Sequence, residues 1–340
     1  MAKILVTGGL GFIGSHTVVE LQGKGFEVVI IDNLSNSSLE VIDGITAITG
    51  KKPEFVKLDL KDKNLVQNFF KTHNNIQGVI HFAASKAVGE SVSEPLFYYE
   101  NNINSLVYLL QEYSNINRSN FIFSSSCTVY GEPDKLPITE QAPIKSALSP
   151  YGNTKQIGEE ILKDVSHINP NFNVVSLRYF NPIGAHESYH IGELPLGIPQ
   201  NLVPFITQTA IGKRHQLSVF GNDYPTSDGT CIRDYIHVVD LAKAHVVALE
   251  RLLANKNKET FEVFNLGTGT GSSVLEVIHS FERVSGEKLN FKFSERRSGD
   301  VISVYADTNK ANEELGWKAK LSLDDAMRSA WKWEQKLSKL

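Results

Sequence analysis

Tyr151-Gly-Asn-Thr-Lys155 sets a phenol and an ammonium four residues apart, a spacing that puts both on one face of a helix. Ser149-Pro150 just before it reads as a helix start, with Ser as N-cap and Pro in the first turn. Tyr151 then lies near the positive end of the helix dipole with Lys155 one turn on. Both favour a phenolate, drawing a group whose reference pKa is about 10 toward neutrality. That is the outline of a general base. The spacing alone is commonplace, and what lies upstream gives it meaning.

Upstream is Gly8-Gly9-Leu10-Gly11-Phe12-Ile13-Gly14, which holds Gly-x-Gly-x-x-Gly (Gly9, Gly11, Gly14) and Gly-x-x-Gly-x-x-Gly (Gly8, Gly11, Gly14). It follows a strand-like run and opens an apolar helix, the setting in which backbone N–H groups approach a pyrophosphate at a helix N-terminus. Asp32 ends the second strand-like run, about 20 residues on, where a carboxylate accepts from a ribose hydroxyl. A carboxylate there repels a 2′-phosphate, so the expected cofactor is NAD and not NADP. Further strand ends offer Asp59-Leu60 for an adenine amine and Phe82-Ala83-Ala84-Ser85-Lys86 as a small-residue edge, with Asn101 on the next helix. Ser124-Ser125-Ser126 ends a central strand, placing a hydroxyl where ligands of open α/β sheets bind.

The elements that must position these groups are short, nearly continuous apolar runs: Ile4–Thr7, Glu27–Asp32, Glu54–Asp59, Gly78–Ala84, Asn120–Ser125 and Asn173–Tyr179. Such runs suit strands buried on both faces of a parallel sheet. Amphipathic stretches lie between them, among them Leu65–His73, Tyr98–Tyr113 and Tyr151–Val165. The alternation predicts a doubly wound parallel α/β sheet over residues 1–180. Beyond Asn181-Pro182 prolines and glycines crowd in and the elements shorten. Residues 181–340 read as a smaller substrate-binding lobe, with 239–253 packing back on the sheet.

Composition narrows the class. The 340 residues are 41% hydrophobic and 21% charged, as in a globular protein. A formal charge of −4 leaves no basic footprint for nucleic acid. Cys127 and Cys231 stand far apart, which argues against a disulfide framework or zinc ribbon and fits a reducing cytoplasm. No apolar run reaches the roughly 20 residues of a membrane span, a strand-like run starting at Lys3 leaves no room for a signal peptide, and the scattered histidines suggest no metal. Gly267-Thr-Gly-Thr-Gly271 has the wrong spacing for a second phosphate loop and reads as a strand-to-helix turn. Cys127 reads as a packing residue.

Gly8–Gly14, Asp32, Ser126, Tyr151 and Lys155 together resemble the extended short-chain dehydrogenase/reductase superfamily. Ser124-Ser-Ser-Cys-Thr-Val-Tyr130-Gly131, Arg178-Tyr-Phe-Asn181-Pro182 and Arg233-Asp-Tyr235-Ile-His-Val-Val-Asp240 are similar to the UDP-glucose 4-epimerase family, over essentially the whole chain. The resemblance implies a Rossmann domain, bound NAD, a UDP-hexose substrate and a homodimer formed through Tyr98–Tyr113 and Tyr151–Val165. It also implies a reaction. The C4 hydroxyl of the hexose loses its proton to Tyr151, through or assisted by Ser126, while hydride leaves C4. A 4-keto sugar turns over in the site and takes the hydride back on its other face. Lys155 tunes Tyr151 and holds the nicotinamide ribose.

The same resemblance implies cofactor contacts at Gly8, Gly11, Phe12, Ile13, Gly14, Asp32, Asn33, Leu34, Ser35, Asn36, Ser37, Asp59, Leu60, Phe82, Ala83, Ala84, Lys86, Asn101, Ser126, Tyr151, Lys155 and Phe180. Substrate contacts implied are Lys86, Ser126, Tyr151, Asn181, Asn201, Leu202, Phe220 near the uracil, Arg233, Tyr235, Arg297, Asp300 and Val304. Arg233 and Arg297 suit a pyrophosphate because the guanidinium fork binds oxygens bidentately. In the epimerases the position four beyond the Asp300 aspartate acts as a gate, bulky for glucose and galactose and small where a 2-acetamido group enters. Val304 there implies room for the N-acetylated pair, unless a one-residue strand slip brings Tyr305 to the gate. Two other readings share the fold. A sugar-nucleotide 4,6-dehydratase would carry Asp-Glu where this chain has Cys127-Thr128. A catalytically silent nucleotide-binding regulator would usually have lost the Tyr or the Lys.

Overall fold

Seven parallel strands form the central layer of the computed structural model, which describes residues 2–114, 119–297 and 300–339. The first half runs β1 (Lys3–Thr7), α1 (Phe12–Gly23), β2 (Glu27–Asp32), α2 (Glu40–Thr49), β3 (Glu54–Lys57), α3 (Lys63–Thr72), β4 (Ile76–His81), α4 (Val88–Ser93), α5 (Pro95–Tyr113), β5 (Ser119–Ser126), α6 (Pro150–Ile168) and β6 (Phe172–Tyr179). The second half holds β7 (Asn181–Ile183), α7 (Leu202–Ala210), β8 (Leu217–Phe220), β9 (Ile232–Arg233), β10 (Tyr235–His237) and α8 (Val238–Leu253). It continues with β11 (Phe261–Leu266), β12 (Ser272–Ser273), α9 (Val274–Ser285), β13 (Phe291–Ser294), β14 (Ser303–Val304) and α10 (Leu323–Leu337).

The order across the large sheet is β11-β6-β5-β4-β1-β2-β3. The chain winds outward from β1 to β3, then crosses to β4 on the other side of β1. Strand order therefore reverses between β1 and β4, and a crevice opens at their carboxyl ends, where ligands bind in such sheets. Side chains alternate across each strand. In β1, Ile4 and Val6 face a cluster with Val18, Leu241 and Leu249, while Leu5 faces Val66, Leu106 and Leu109 on the other side. These strands read as unbroken apolar runs because both faces are covered. Each fully buried aliphatic side chain contributes about 1.5–3 kcal/mol.

Two parts of the second half return to this sheet. Helix α8 supplies Leu241, Ala244, Leu249 and Leu252 to the cluster beneath α1, and Gly78 leaves space where Leu249 packs. Strand β11 pairs in parallel with β6, Phe264 opposite Leu177. The six runs read from sequence omit β11, since Phe261-Glu-Val-Phe-Asn-Leu266 alternates like an ordinary half-buried segment and follows a helix from the other half. The remaining elements surround a separate apolar cluster that includes Ile206, Val219, Phe281, Met327 and Trp331. Helices α9 and α10 both start with a capping box, Ser273 with Glu276 and Ser322 with Asp325.

Candidate active site

The glycine loop is shaped by contacts that exclude side chains. Gly8 has φ +67°, and a Cβ there would lie 2.8 Å from Ala83 N, so the ends of β1 and β4 abut at the point of strand reversal. A Cβ on Gly14 would collide with the Gly8 carbonyl oxygen and lie 2.9 Å from Gly9 Cα. Gly11 is the N-cap of α1 and makes no side-chain bond to it, so the first turn of α1 offers free amides to an anion. Asp32 closes the loop from β2. Its Oδ2 accepts from Leu10 N at 3.2 Å, and its Oδ1 from Leu34 N at 3.0 Å and Ser37 Oγ at 2.8 Å. Leu34 itself has φ +64°. Asp59 lies beside this turn, accepting from Asn33 Nδ2 at 3.3 Å and Lys61 N at 2.9 Å. Across the reversal, Asn101 Nδ2 donates to Ser85 Oγ at 3.1 Å. Tight glycine turn, open helix terminus and strand-end carboxylate together fit a dinucleotide with a free ribose 2′-hydroxyl.

Beside this cradle stand Ser126, Tyr151 and Lys155. Ser126 ends β5 and caps the short 3-10 turn Cys127–Tyr130, its Oγ accepting from Thr128 N at 3.2 Å. Ser149 caps α6, accepting from Gly152 N at 3.1 Å with Pro150 in the first turn. This holds Tyr151 at the helix start. Lys155, one turn on, is buried; its Nζ donates to Ser124 O at 2.6 Å and lies 5.9 Å from the Tyr151 ring centroid. Burial pushes the Lys155 ammonium down to about 8, with the Glu159 carboxylate opposing the fall.

The phenol departs from the sequence expectation. Burial, the larger effect, pushes Tyr151 well above its usual value; the Tyr179 phenol adds to the rise, and the adjacent Ser126 hydroxyl opposes it. The expected pull toward a phenolate weighed Lys155 and the helix terminus but not desolvation. Lys155 directs its ammonium at the Ser124 carbonyl.

A second cluster lines the other side of the crevice. Arg297 binds Asp300 with Nε–Oδ2 3.2 Å and Nη2–Oδ1 2.9 Å, and its guanidinium lies 5.5 Å from the Phe220 ring centroid. Arg233 Nη2 is 3.5 Å from Asp300 Oδ1, so two guanidinium groups share one carboxylate. Residues 298 and 299 of the Arg297–Asp300 motif lie outside the described residues. Asn181 pairs with Tyr235 across β7 and β10, and Phe180 is buried with Val129, Tyr130 and Val304. Val304 is in register with Arg233. The neighbouring Tyr305 ring lies against Gly271 instead, so the register sets Val304, not Tyr305, beside Phe180. Lys86 and Asn201 both meet Glu193, from the first and second halves respectively, and Leu202 packs on the second-half core.

Several groups in this region were not read from the sequence. Glu159 Oε1 accepts from Ser125 Oγ at 2.6 Å, Ser176 Oγ at 2.8 Å and Arg178 Nε at 2.9 Å. This buried pair ties α6 to β5 and β6 directly beneath Ser126. Asn102 links the loop after β4 to α6, donating to Ser85 O at 3.0 Å and Thr154 Oγ1 at 3.0 Å. Asp234 is buried and gathers amides of Thr268, Gly269 and Ala306. The one sequence signal for Glu159 is its place one turn beyond Lys155. The others depend on long-range pairing that local pattern does not encode.

Comparison with known proteins agrees with this geometry. A family model described as GDP-mannose 4,6 dehydratase matches residues 5–330. The UDP-glucose 4-epimerase of Bacillus subtilis is 52% identical over 331 residues, covering 97% of this chain and 96% of the relative. Among solved structures, the UDP-glucose 4-epimerase of Bifidobacterium longum in complex with NAD+ and UDP superposes with a TM-score of 0.94 at 48% identity, covering 98% of each chain. The UDP-Glc/GlcNAc 4-epimerase of Campylobacter jejuni gives 0.82 at 38% identity, covering 99% of this chain and 100% of that one. By full-length similarity, loop, strand-end hydroxyl and Tyr-x-x-x-Lys helix alike, the chain belongs to the UDP-glucose 4-epimerase family.

Proposed function

We propose that the protein inverts the configuration at C4 of the hexose of UDP-glucose and UDP-galactose, using NAD. The single observation that carries the reading is Tyr151, Ser126 and Lys155 gathered beside a dinucleotide cradle, opposite a two-arginine cluster. A bound NAD supplies reversible acceptance of a hydride from C4. This chain's residues do the rest. Tyr151, which the positive charge of an oxidised nicotinamide bound beside it would draw toward its phenolate, takes the proton of the C4 hydroxyl as a 4-keto sugar forms, and returns it to the carbonyl oxygen once the sugar has presented its other face. Ser126, beside the phenol, gives that proton a second hydroxyl to pass through. Lys155 keeps positive charge near the phenol at neutral pH and is placed to reach the nicotinamide ribose. Arg233 and Arg297 would leave the shared Asp300 for the pyrophosphate, with Phe220 beside the uracil.

The finer readings rest on single features. Val304, small and packed against Phe180, supports admission of the N-acetylated pair. Exposed Leu96 and Phe97 at the start of α5 support a homodimer through α5 and α6. Two free thiols support residence in the cytoplasm. No helix among the described residues is long and apolar enough to cross a membrane. The division at residue 180 into cofactor and substrate parts suits the site, with α8 and β11 returning to the sheet. Dehydration across C5 and C6 would need an acid where Cys127 and Thr128 stand, and burial pushes the Cys127 thiol up to about 12.

Purified protein incubated with UDP-galactose and no added cofactor tests the reading by NMR. We expect a mixture with UDP-glucose, and a loss of turnover of about a hundredfold or more in Tyr151→Phe. A 4-keto-6-deoxy product, or normal turnover by Tyr151→Phe, would refute it.

A further inference from the structure

Glu193, which no motif singles out, joins the two halves of the molecule at the opening of the crevice. It lies on the loop between β7 and α7. Its Oε1 accepts from Asn201 Nδ2 at 2.5 Å and lies 3.6 Å from Lys86 Nζ. Lys86 follows β4 at the carboxyl edge of the large sheet, whereas Asn201 is the N-cap of α7 in the second half. One carboxylate oxygen thus holds a donor from each side.

Three features separate this contact from an ordinary surface ion pair, which adds little to stability. The Glu193 side chain is only 13% exposed, against 49% for Lys86. Its backbone is anchored: the carbonyl accepts from Trp333 Nε1 at 2.8 Å, and the indole lies so close to Gly192 that a Cβ there would be 2.5 Å from Cδ1. Finally, Asn is a favoured N-cap type, yet the Asn201 side chain makes no cap bond to α7 and goes to Glu193 instead. The arrangement forgoes helix stabilisation and holds two donors together.

We propose that Glu193 is a positioning residue for sugar-nucleotide binding, its carboxylate holding the Lys86 ammonium and Asn201 amide together across the opening, ready for the ligand's oxygens. This rests on the epimerase reading above. Glu193 bonds neither Tyr151 nor Ser126, so it acts on binding and leaves the chemical step alone. Without it, a four-carbon ammonium arm and an amide regain rotamer freedom that binding must then remove. Ordering even one such side chain corresponds to about a three- to tenfold change in apparent affinity.

The test is steady-state kinetics of Glu193→Ala and Glu193→Gln with UDP-galactose, alongside melting temperatures. Glu193→Ala should raise KM about three- to tenfold with kcat within about twofold of the parent. Glu193→Gln keeps an acceptor for Asn201 but loses the charge facing Lys86, and should fall between. If the alanine variant is destabilised, the glutamine variant carries the test. An unchanged or lowered KM in both, or a fall in kcat at constant KM, overturns the proposal. An active parent with insensitive variants removes Glu193 alone, whereas a parent that does not convert UDP-galactose removes the epimerase reading and this proposal with it.

Discussion

Mild acid should destabilise this protein, through four buried neutral histidines. Burial pushes His16 and His81 down to about 3 and His237 and His245 down to about 4. Burial is what keeps each one neutral, and each also makes specific contacts. His81 Nδ1 meets Thr7 Oγ1 at 2.8 Å, and His237 Nδ1 accepts from Val239 N at 3.1 Å. His16 and His245 bond the Phe12 and Leu241 carbonyls and leave Nε2 without a partner. A folded-state pKa below the unfolded value means that the unfolded chain binds the proton first. The contribution is therefore fully present above about pH 6.5 and is lost as pH falls toward the folded values. At pH 5.5 each histidine costs about 1.4 kcal/mol and the four about 5–6 kcal/mol. Glu20, Glu140 and Asp234 are held above their usual range by burial; they take up protons in the folded state and offset part of this loss. Even reduced by that offset, a histidine loss of this size is a large share of the 5–15 kcal/mol typical of a folded protein. Urea unfolding of the holoprotein followed by circular dichroism at pH 7.5, 6.5 and 5.5 should show the midpoint dropping steeply over the last step. His16→Asn, which keeps a donor for Phe12 O, should shrink that drop by about a quarter. A midpoint flat from pH 7.5 to 5.5 would refute the reasoning.

Two further outcomes concern the substrate side. Arg297→Ala removes a charged fork from the two-arginine cluster and should raise KM for UDP-galactose about ten- to a hundredfold; steady-state kinetics showing an unchanged KM would remove it from phosphate binding. The parent should turn over UDP-N-acetylgalactosamine, and Val304→Tyr should lose that activity while keeping UDP-galactose turnover. Failure of the parent on the N-acetylated substrate would refute the role given to Val304.

Much of the sheet is legible because parallel strands covered on both faces carry their burial in their own composition. The runs at Ile4–Thr7 and Glu27–Asp32 need no partner to be recognised. Strand β11 is not legible in this way: its sheet neighbour β6 lies over eighty residues upstream, and Glu262 interrupts its apolar run to bind Arg251 with Nε–Oε2 at 2.8 Å. At the site, local chemistry was readable where backbone geometry demands a residue type, as with Gly8 at positive φ and Ser149 at a helix cap. Desolvation was not, because burial belongs to the assembled fold. Hence the phenol of Tyr151 reads as shifted downward from its helix neighbours but is shifted upward by its surroundings. Glu159 and Glu193 escaped for a related reason: a lone Glu acquires meaning only from donors that other elements bring to it.

The central claim is that one hydride leaves C4 and returns to it within a single site. UDP-galactose carrying deuterium at C4, converted in ordinary water and analysed by NMR and mass spectrometry, tests this directly. We predict UDP-glucose with the deuterium retained at C4 and none lost to solvent. Product with protium at C4 would contradict the account.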